Sequence, residues 1–205
     1  MTQPVRLHIR SSLLDRERLL LIEPGFIEFD NTELKDSTPA RFVKEEIVAW
    51  RYGVKWIRGY QFMIGRTYCI DIKNASGKTI QLRLKSLYGI RKNKLREKYL
   101  TIWKSIEHNF FSHLSRYYFD EFIRTGQTEV SGVRFGREGI ALDNRKDIIP
   151  WFEVGTKNYS TYYSIYSVTD PEYYKAFDYL ADWNTSVLYA VSRGILKNKK
   201  LWTGK

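Results

Sequence analysis

The sequence predicts an α+β protein of two strand-rich units in tandem, each closed by one amphipathic helix. Three observations predict it. A phrase recurs: Gly25-Phe-Ile-Glu-Phe-Asp-Asn31 and Gly139-Ile-Ala-Leu-Asp-Asn144 each follow one apolar run and precede another, Arg41 to Ile47 and Ile148 to Val154. The apolar spacing changes from two to about 3.6 at Asn93 and again beyond Asn184, the mark of a strand region giving way to a helix. The 205 residues hold 15 Tyr, 11 Phe and 6 Trp, side chains that favour a pleated sheet.

In the first copy, Val5 to Ile9 alternates as a strand, and Leu19 to Ile22 is a short buried strand. Glu23-Pro-Gly25 is a turn in which Pro fixes φ and Gly supplies a positive φ. Phe26 to Phe29 resumes the sheet, Asp30-Asn31 ends it, and residues 32–40 form a loop. Phe42 to Tyr52 and Val54 to Ile57 read as one long strand around Gly53. Gln61 to Ile64 and Tyr68 to Ile72 flank a turn at Gly65-Arg66. Asn74-Ala-Ser-Gly77 then joins Tyr68 to Ile72 to Thr79 to Leu84, the clearest hairpin of the chain. Leu95, Tyr99, Ile102, Trp103, Ile106, Phe110, Leu114 and Tyr117 form one apolar stripe, so residues 93–123 are a helix. That helix should bend, or give way to a second segment, near Ser112 to Ser115 and stop at Gly126.

The second copy has strands at Val130 to Phe135, Gly139 to Leu142, Asp147 to Val154, Tyr159 to Val168 and Tyr173 to Leu180. Pro150 marks an edge or a bulge. Asn184 stands as N-cap of a helix over 185–197, with Trp183 stapled on Leu188 and Val187, Leu188, Val191 and Ile195 facing inward. Arg193, Lys197, Lys199 and Lys200 suit its C-terminal dipole. The units divide as 1–124 and 125–205, with about 80 residues of strand region in the first and about 55 in the second.

A strand meander closed by one C-terminal helix resembles the pleckstrin-homology-like (PH-like) barrel. Gly139-Ile-Ala-Leu with Ile149-Pro-Trp-Phe-Glu-Val154 is similar to a recurring phrase of small bacterial PH-like proteins. Gly25-Phe-Ile-Glu-Phe with Lys44-Glu-Glu-Ile47 looks like the same pair of strands, which sets Glu46 over Glu153 and Ile47 over Val154. The resemblance implies two PH-like units, the second a shortened barrel or an open sheet. Phosphoinositide-binding members carry a cluster of basic residues between their first two strands. The turns taken as equivalent, Glu23-Pro-Gly25 and Arg137-Glu-Gly139, lack converging cations, so that property is not carried over.

Composition sets bounds on function. No stretch of 18 apolar residues exists, and the N-terminus lacks the apolar run of a secretory signal. The single Cys69 allows no internal disulfide and suits a reducing compartment as a buried sheet residue. A cytoplasmic location follows, with peripheral attachment at the inner membrane face as the variant. His108 and His113 are five apart on different helix faces, and Glu45 and Glu46 point to opposite sides of a strand. With neither a nucleophile elbow nor a phosphate loop, no catalytic residue, cofactor or metal is expected.

The net charge of +11 is spread as +5 over residues 1–90, +4 over 91–125 and +2 over 126–205. Arg91, Lys92, Lys94, Arg96 and Lys98 crowd a helix start, where cations oppose the dipole. They are either a solvated face or a patch for an acidic partner. Tyr159, Tyr162, Tyr163, Tyr166, Tyr173, Tyr174 and Tyr179 put tyrosine on both faces of a strand, Tyr162 with Tyr166 and Tyr159 with Tyr163. One face packs; the other is an interface, between the halves or toward a partner.

The expected function is a non-enzymatic binding or scaffold module for a protein or peptide, engaged by a sheet edge or by the groove beside a helix. Its contacts would be the five cations and the aromatics Trp151, Tyr162, Tyr166 and Trp183. Peripheral binding to anionic lipid is the alternative. An enzyme comes third and would need a pocket gathering polar groups. Nucleic acid is set aside for want of RNA-binding motif strings, and a homo-oligomer stays open.

Overall fold

The structure, a computed structural model, describes residues 4–10, 16–30, 38–142 and 147–201. Asn31, the loop over 32–37, Asp143 and Asn144 lie outside the described residues. The fold is α+β. It comprises two compact units, Met1–Phe111 and Ser112–Lys205, so the division falls within the long helical segment rather than after it.

In the first unit β1 (Val5–Ile9), β2 (Arg18–Glu23), β3 (Phe26–Phe29) and β4 (Ala40–Val43) pair in sequence order as an antiparallel sheet. A 3₁₀ turn over Lys44–Glu46 leads to a second antiparallel sheet of β5 (Ile47–Arg58), β6 (Met63–Asn74) and β7 (Thr79–Leu87). Helix α1 (Lys92–Ile106) follows and passes into a π turn at Glu107–Phe111. In the second unit α2 (Ser112–Thr125) precedes a sheet of β8 (Thr128–Val130), β9 (Val133–Phe135), β10 (Gly139–Leu142) and β11 (Ile149–Pro150). A 3₁₀ turn at Trp151–Glu153 leads to β12 (Val154–Asn158), β13 (Tyr162–Ser167) and β14 (Tyr174–Asp178), and α3 (Thr185–Asn198) closes the chain.

The same order occurs twice: four strands, a 3₁₀ turn, three strands, a helix. Glu46 and Glu153 each end the 3₁₀ turn, and Ile47 and Val154 each open the next strand, as the alignment of the copies requires. The 3₁₀ turns divide what alternation reads as single strands. Val130 to Phe135 is likewise two strands, because Ser131 and Gly132 take positive φ and turn the chain back. The second copy therefore has a full set of shorter strands. Among the described residues all four sheets stay open.

Other elements follow their local chemistry. The β6–β7 hairpin pairs Tyr68 with Leu84 and Ile72 with Ile80. Its turn is fixed by Asn74 Oδ1, which accepts from Ser76 Oγ and the Lys78 amide at 2.9 Å each, and by Gly77 at φ 82°. Pro150 sits on the edge strand β11, where its missing N–H costs nothing. Gly126, at φ 78°, ends α2.

Several expectations are corrected. The turn after β5 is Gly59 to Phe62, closed by the Gly59 amide on the Phe62 carbonyl at 2.8 Å; Gly65-Arg66 lies inside β6. Gly65 is small because a Cβ there would strike the backbone of Ser86 on β7. The second helical segment does begin at Ser112, as expected, and the π turn before it adds a residue and rotates the stripe. Phe110 and Phe111 are both buried, and Tyr117 is left exposed. Asn184 occupies the N-cap of α3 but in the left-handed conformation, without a side-chain cap bond. The turns compared with the phosphoinositide signature join β2 to β3 and β9 to β10. The links between the first two strands are residues 10–17 and Ser131-Gly132. Of their described cations, Arg10 pairs with Glu17 at 3.1 Å and Arg16 with Asp30.

The repeated glycine has two roles. Gly25 lacks a positive φ, and a Cβ there would meet nothing within 4 Å. Gly139 pairs with Pro150, and a Cβ would collide with the Ile149 carbonyl. Gly139→Ala is therefore expected to destabilise by about 1–3 kcal/mol through overpacking. Gly25→Ala should stay within about 0.5 kcal/mol of wild type. Urea midpoints of the two variants check this.

Candidate functional site

The first unit holds the feature with the most chemical content. A cavity of about 560 Å³ opens where β1, β7 and the start of α1 meet. Leu84 and Leu87 of β7, Ile90 and Leu95 give it an apolar lining. His8, Arg10, Lys85, Arg91, Lys94 and Lys98 surround it, with Glu17 as the one acid. Residues 94, 95 and 98 share a helix face by their one-, three- and four-residue spacing, and Arg91 at the N-cap extends the wall they form.

Lys98 Nζ donates to the His8 carbonyl at 2.7 Å and so ties α1 to β1. Burial, and then the neighbouring Lys94, pull its ammonium below the usual lysine pKa, while Glu17 pulls against them. Glu17 accepts from Arg10 Nε at 3.1 Å and lies 4.0 Å from His8 Nδ1. Both β1 and β7 are terminal strands of their sheets, so each turns one row of main-chain groups outward.

Of the five cations picked from sequence, Arg91, Lys94 and Lys98 converge on this groove. Lys92 lines a separate depression with Trp56, Met63, Arg66 and Tyr88, and Arg96 lines neither. The segment between the two depressions is tight: Tyr88, Gly89 and Arg91 all have φ between 50° and 74°. It is held by the Tyr88 amide on the Ile64 carbonyl (2.7 Å) and by Ser86 Oγ on the Ile90 carbonyl (3.0 Å).

The aromatic candidates belong to the second unit. Trp151 is 7 % exposed and its Nε1 donates to the Gly136 and Arg137 carbonyls at 3.0 Å, so it is a core side chain and not a surface contact. Trp183 is half-buried, and its carbonyl accepts from Ser131 Oγ at 2.9 Å. Tyr162 and Tyr166 do share the outer face of β13, half-buried, with Tyr166 lying over Gly155. Tyr163 points the other way and is fully buried, its hydroxyl pKa pushed up to about 12 by that burial. Tyr159 corrects the alternation. It precedes β13 in the tight turn and stacks on Tyr162, centroids 4.4 Å apart, instead of joining Tyr163.

The charge of the chain is concentrated more sharply than the totals for residues 1–90, 91–125 and 126–205 show. From Ile47 to Arg96 there are 12 Lys and Arg and one acid, Asp71; the rest of the chain carries 22 of each sign. The whole net charge of +11 thus resides in β5, β6, β7 and the start of α1. Asp71 is buried, clamped between Arg51 Nε at 3.0 Å and Arg83 Nη1, so this segment presents no carboxylate to solvent.

Among the described residues no three His, Cys, Asp or Glu side chains gather as a metal site, and no helix is long and apolar enough to cross a membrane. No family model, curated protein or solved structure matches the chain.

Proposed function

We propose that the protein is a non-enzymatic binding module built from two PH-like units, and that the first unit takes an acidic peptide segment in the groove beside α1. The repeated order of four strands, 3₁₀ turn, three strands and helix supports the architectural part. The observation that carries the functional part is the apolar cavity ringed by five Lys and Arg with one compensated acid. A peptide fits it in three ways at once. Aliphatic side chains can fill the Leu84–Leu95 floor, carboxylates can meet Lys85, Arg91 and Lys94, and main-chain groups can meet the outward rows of the terminal strands. Rim charges of this kind set partner choice and on-rate.

Selection from a displayed library of random peptides on the full chain tests the proposal. Enrichment of sequences that alternate Asp or Glu with Leu, Ile or Val is expected. The Lys94→Glu/Lys98→Glu variant should bind the enriched peptides about tenfold more weakly or worse. Affinity should also fall on the alkaline side sooner than for ordinary lysines, because Lys98 loses its proton early. Enrichment without acidic residues, or binding indifferent to the charge reversal, contradicts the reading.

A further inference from the structure

The β5–β6 hairpin outruns its core. Trp50, Tyr52, Val54 and Trp56 alternate on one face of β5, yet exposure climbs from 1 % at Trp50 to 51 % at Trp56. Twelve residues at about 3.3 Å each make a strand of roughly 40 Å, longer than a single core needs. Beyond Trp56 lies the turn, where Tyr60 is 98 % and Phe62 67 % exposed and Met63 is also in solvent. The neighbouring segment adds Tyr88, 73 % exposed, and Ile90. Isolated exposed apolar residues are ordinary, but six on one hairpin end and its adjacent turn form a patch.

The charges beside the patch are all of one sign. Arg58 precedes its turn, Arg66 and Lys92 stand beside Trp56 and Tyr88, and Arg66 lies over the Trp56 ring, 4.3 Å from its centroid. The one acid of β5, β6 and β7, Asp71, is buried between two arginines. Nothing anionic is offered to this surface from its own strands, so its complement must supply the negative charge. The depression here is small, about 230 Å³, and Tyr60 and Phe62 at the turn lie outside it.

We infer that this hairpin end docks the protein on an anionic membrane surface, its aromatic side chains entering the headgroup layer and its cations meeting the lipid phosphates. Tyr and Trp suit that layer because each pairs an apolar ring with a polar atom. The shallow apolar insertion and the cations each contribute part of the binding, as stable peripheral attachment requires two weak signals rather than one. The lipid is recognised by charge and interface, not by a headgroup pocket. This inference does not rest on the peptide groove; of the patch residues Ile90 alone also lines it.

Co-sedimentation of the full chain with vesicles tests it, comparing neutral phosphatidylcholine with mixtures enriched in phosphatidylglycerol. Binding only to the anionic vesicles is expected, weakening as salt rises. Tyr60→Asp/Phe62→Asp should lower the partition coefficient roughly tenfold or more at unchanged ionic charge on the cations. Arg58→Gln/Arg66→Gln/Lys92→Gln should lower it by a similar factor and flatten the salt dependence. The tip substitutions lie in solvent, so their urea midpoint should match wild type, and they should leave peptide binding in the groove unchanged. Absence of binding to anionic vesicles overturns the inference. So does binding untouched by the tip variant, or self-association through the tip, abolished by Tyr60→Asp/Phe62→Asp, in a protein that ignores vesicles.

Discussion

Asp71→Ala is expected to lower the stability of the protein by about 2–4 kcal/mol, read as a shift in the urea midpoint. The carboxylate is almost wholly buried on β6 and bridges Arg51 on β5 to Arg83 on β7, so one acid ties the three strands of the sheet together. Removing one member of a buried ion pair costs about 3–5 kcal/mol, because the charge left behind loses its compensation. The expected loss is smaller here because both arginines keep about a third of their side-chain surface in water, where the charge left behind is screened. Asp71→Asn tests the cause. It keeps the shape and some hydrogen bonds and removes the charge, so a loss close to that of alanine assigns the effect to electrostatics. The variant also raises the positive potential of a segment that already holds the entire net charge. Added salt should therefore recover part of the loss, as expected when repulsion among cations is screened.

Trp50→Ala is expected to cost about 3–5 kcal/mol, the usual price of emptying a large aromatic site in a core. Trp50 is 1 % exposed and stacks on Phe111 with centroids 4.4 Å apart and planes 4° from parallel. Tyr52 lies 4.7 Å and Trp103 6.2 Å from it. Phe111 is the last residue of the π turn, so this stack is what the extra residue in the helix achieves: it lets Phe110 and Phe111 face inward together. Trp50→Phe keeps a ring against Phe111 and should recover more than half of the loss. Near-ultraviolet circular dichroism should drop sharply for the alanine variant and only modestly for phenylalanine. Equal losses from both would mean that ring stacking is not what holds the turn.

Much of the fold was legible because its signals are local. The Asn74–Gly77 turn fixes its hairpin through an Asn side chain and one left-handed glycine. Gly126 stops a helix for the same conformational reason. Alternation found the strands but not their breaks, because a 3₁₀ turn at Lys44–Glu46 or Trp151–Glu153 carries ordinary strand residues. Gln61 to Ile64 shows the complementary failure. The segment reads as one flank of a turn at Gly65-Arg66, yet the turn comes before it and Phe62 and Met63 stand in solvent at the end of the hairpin. Pattern reports which residues could be buried; whether a core reaches them is a tertiary fact.

The groove is tertiary in the same sense. The bond from Lys98 to His8 spans 90 positions, and no spacing rule reaches so far. Sequence gathers the cations at the start of α1 but cannot separate Arg91, Lys94 and Lys98, which line the groove, from Lys92 and Arg96. Trp151 was singled out as a contact because bulk and polarity suit interfaces, and it proved to satisfy its indole N–H inside the core. The excess of 12 cations over one acid from Ile47 to Arg96 is legible in the sequence without any structure.

The central claim is that the cationic groove beside α1 recognises an acidic, partly apolar peptide. Fluorescence anisotropy of a labelled peptide alternating Glu with Leu, titrated with the full chain over a salt series, tests it most directly. Saturable binding is expected that weakens with salt, is lost with Lys94→Glu/Lys98→Glu, and survives Tyr60→Asp/Phe62→Asp. No saturable binding at low salt, or binding that ignores the charge reversal at Lys94 and Lys98, would contradict it.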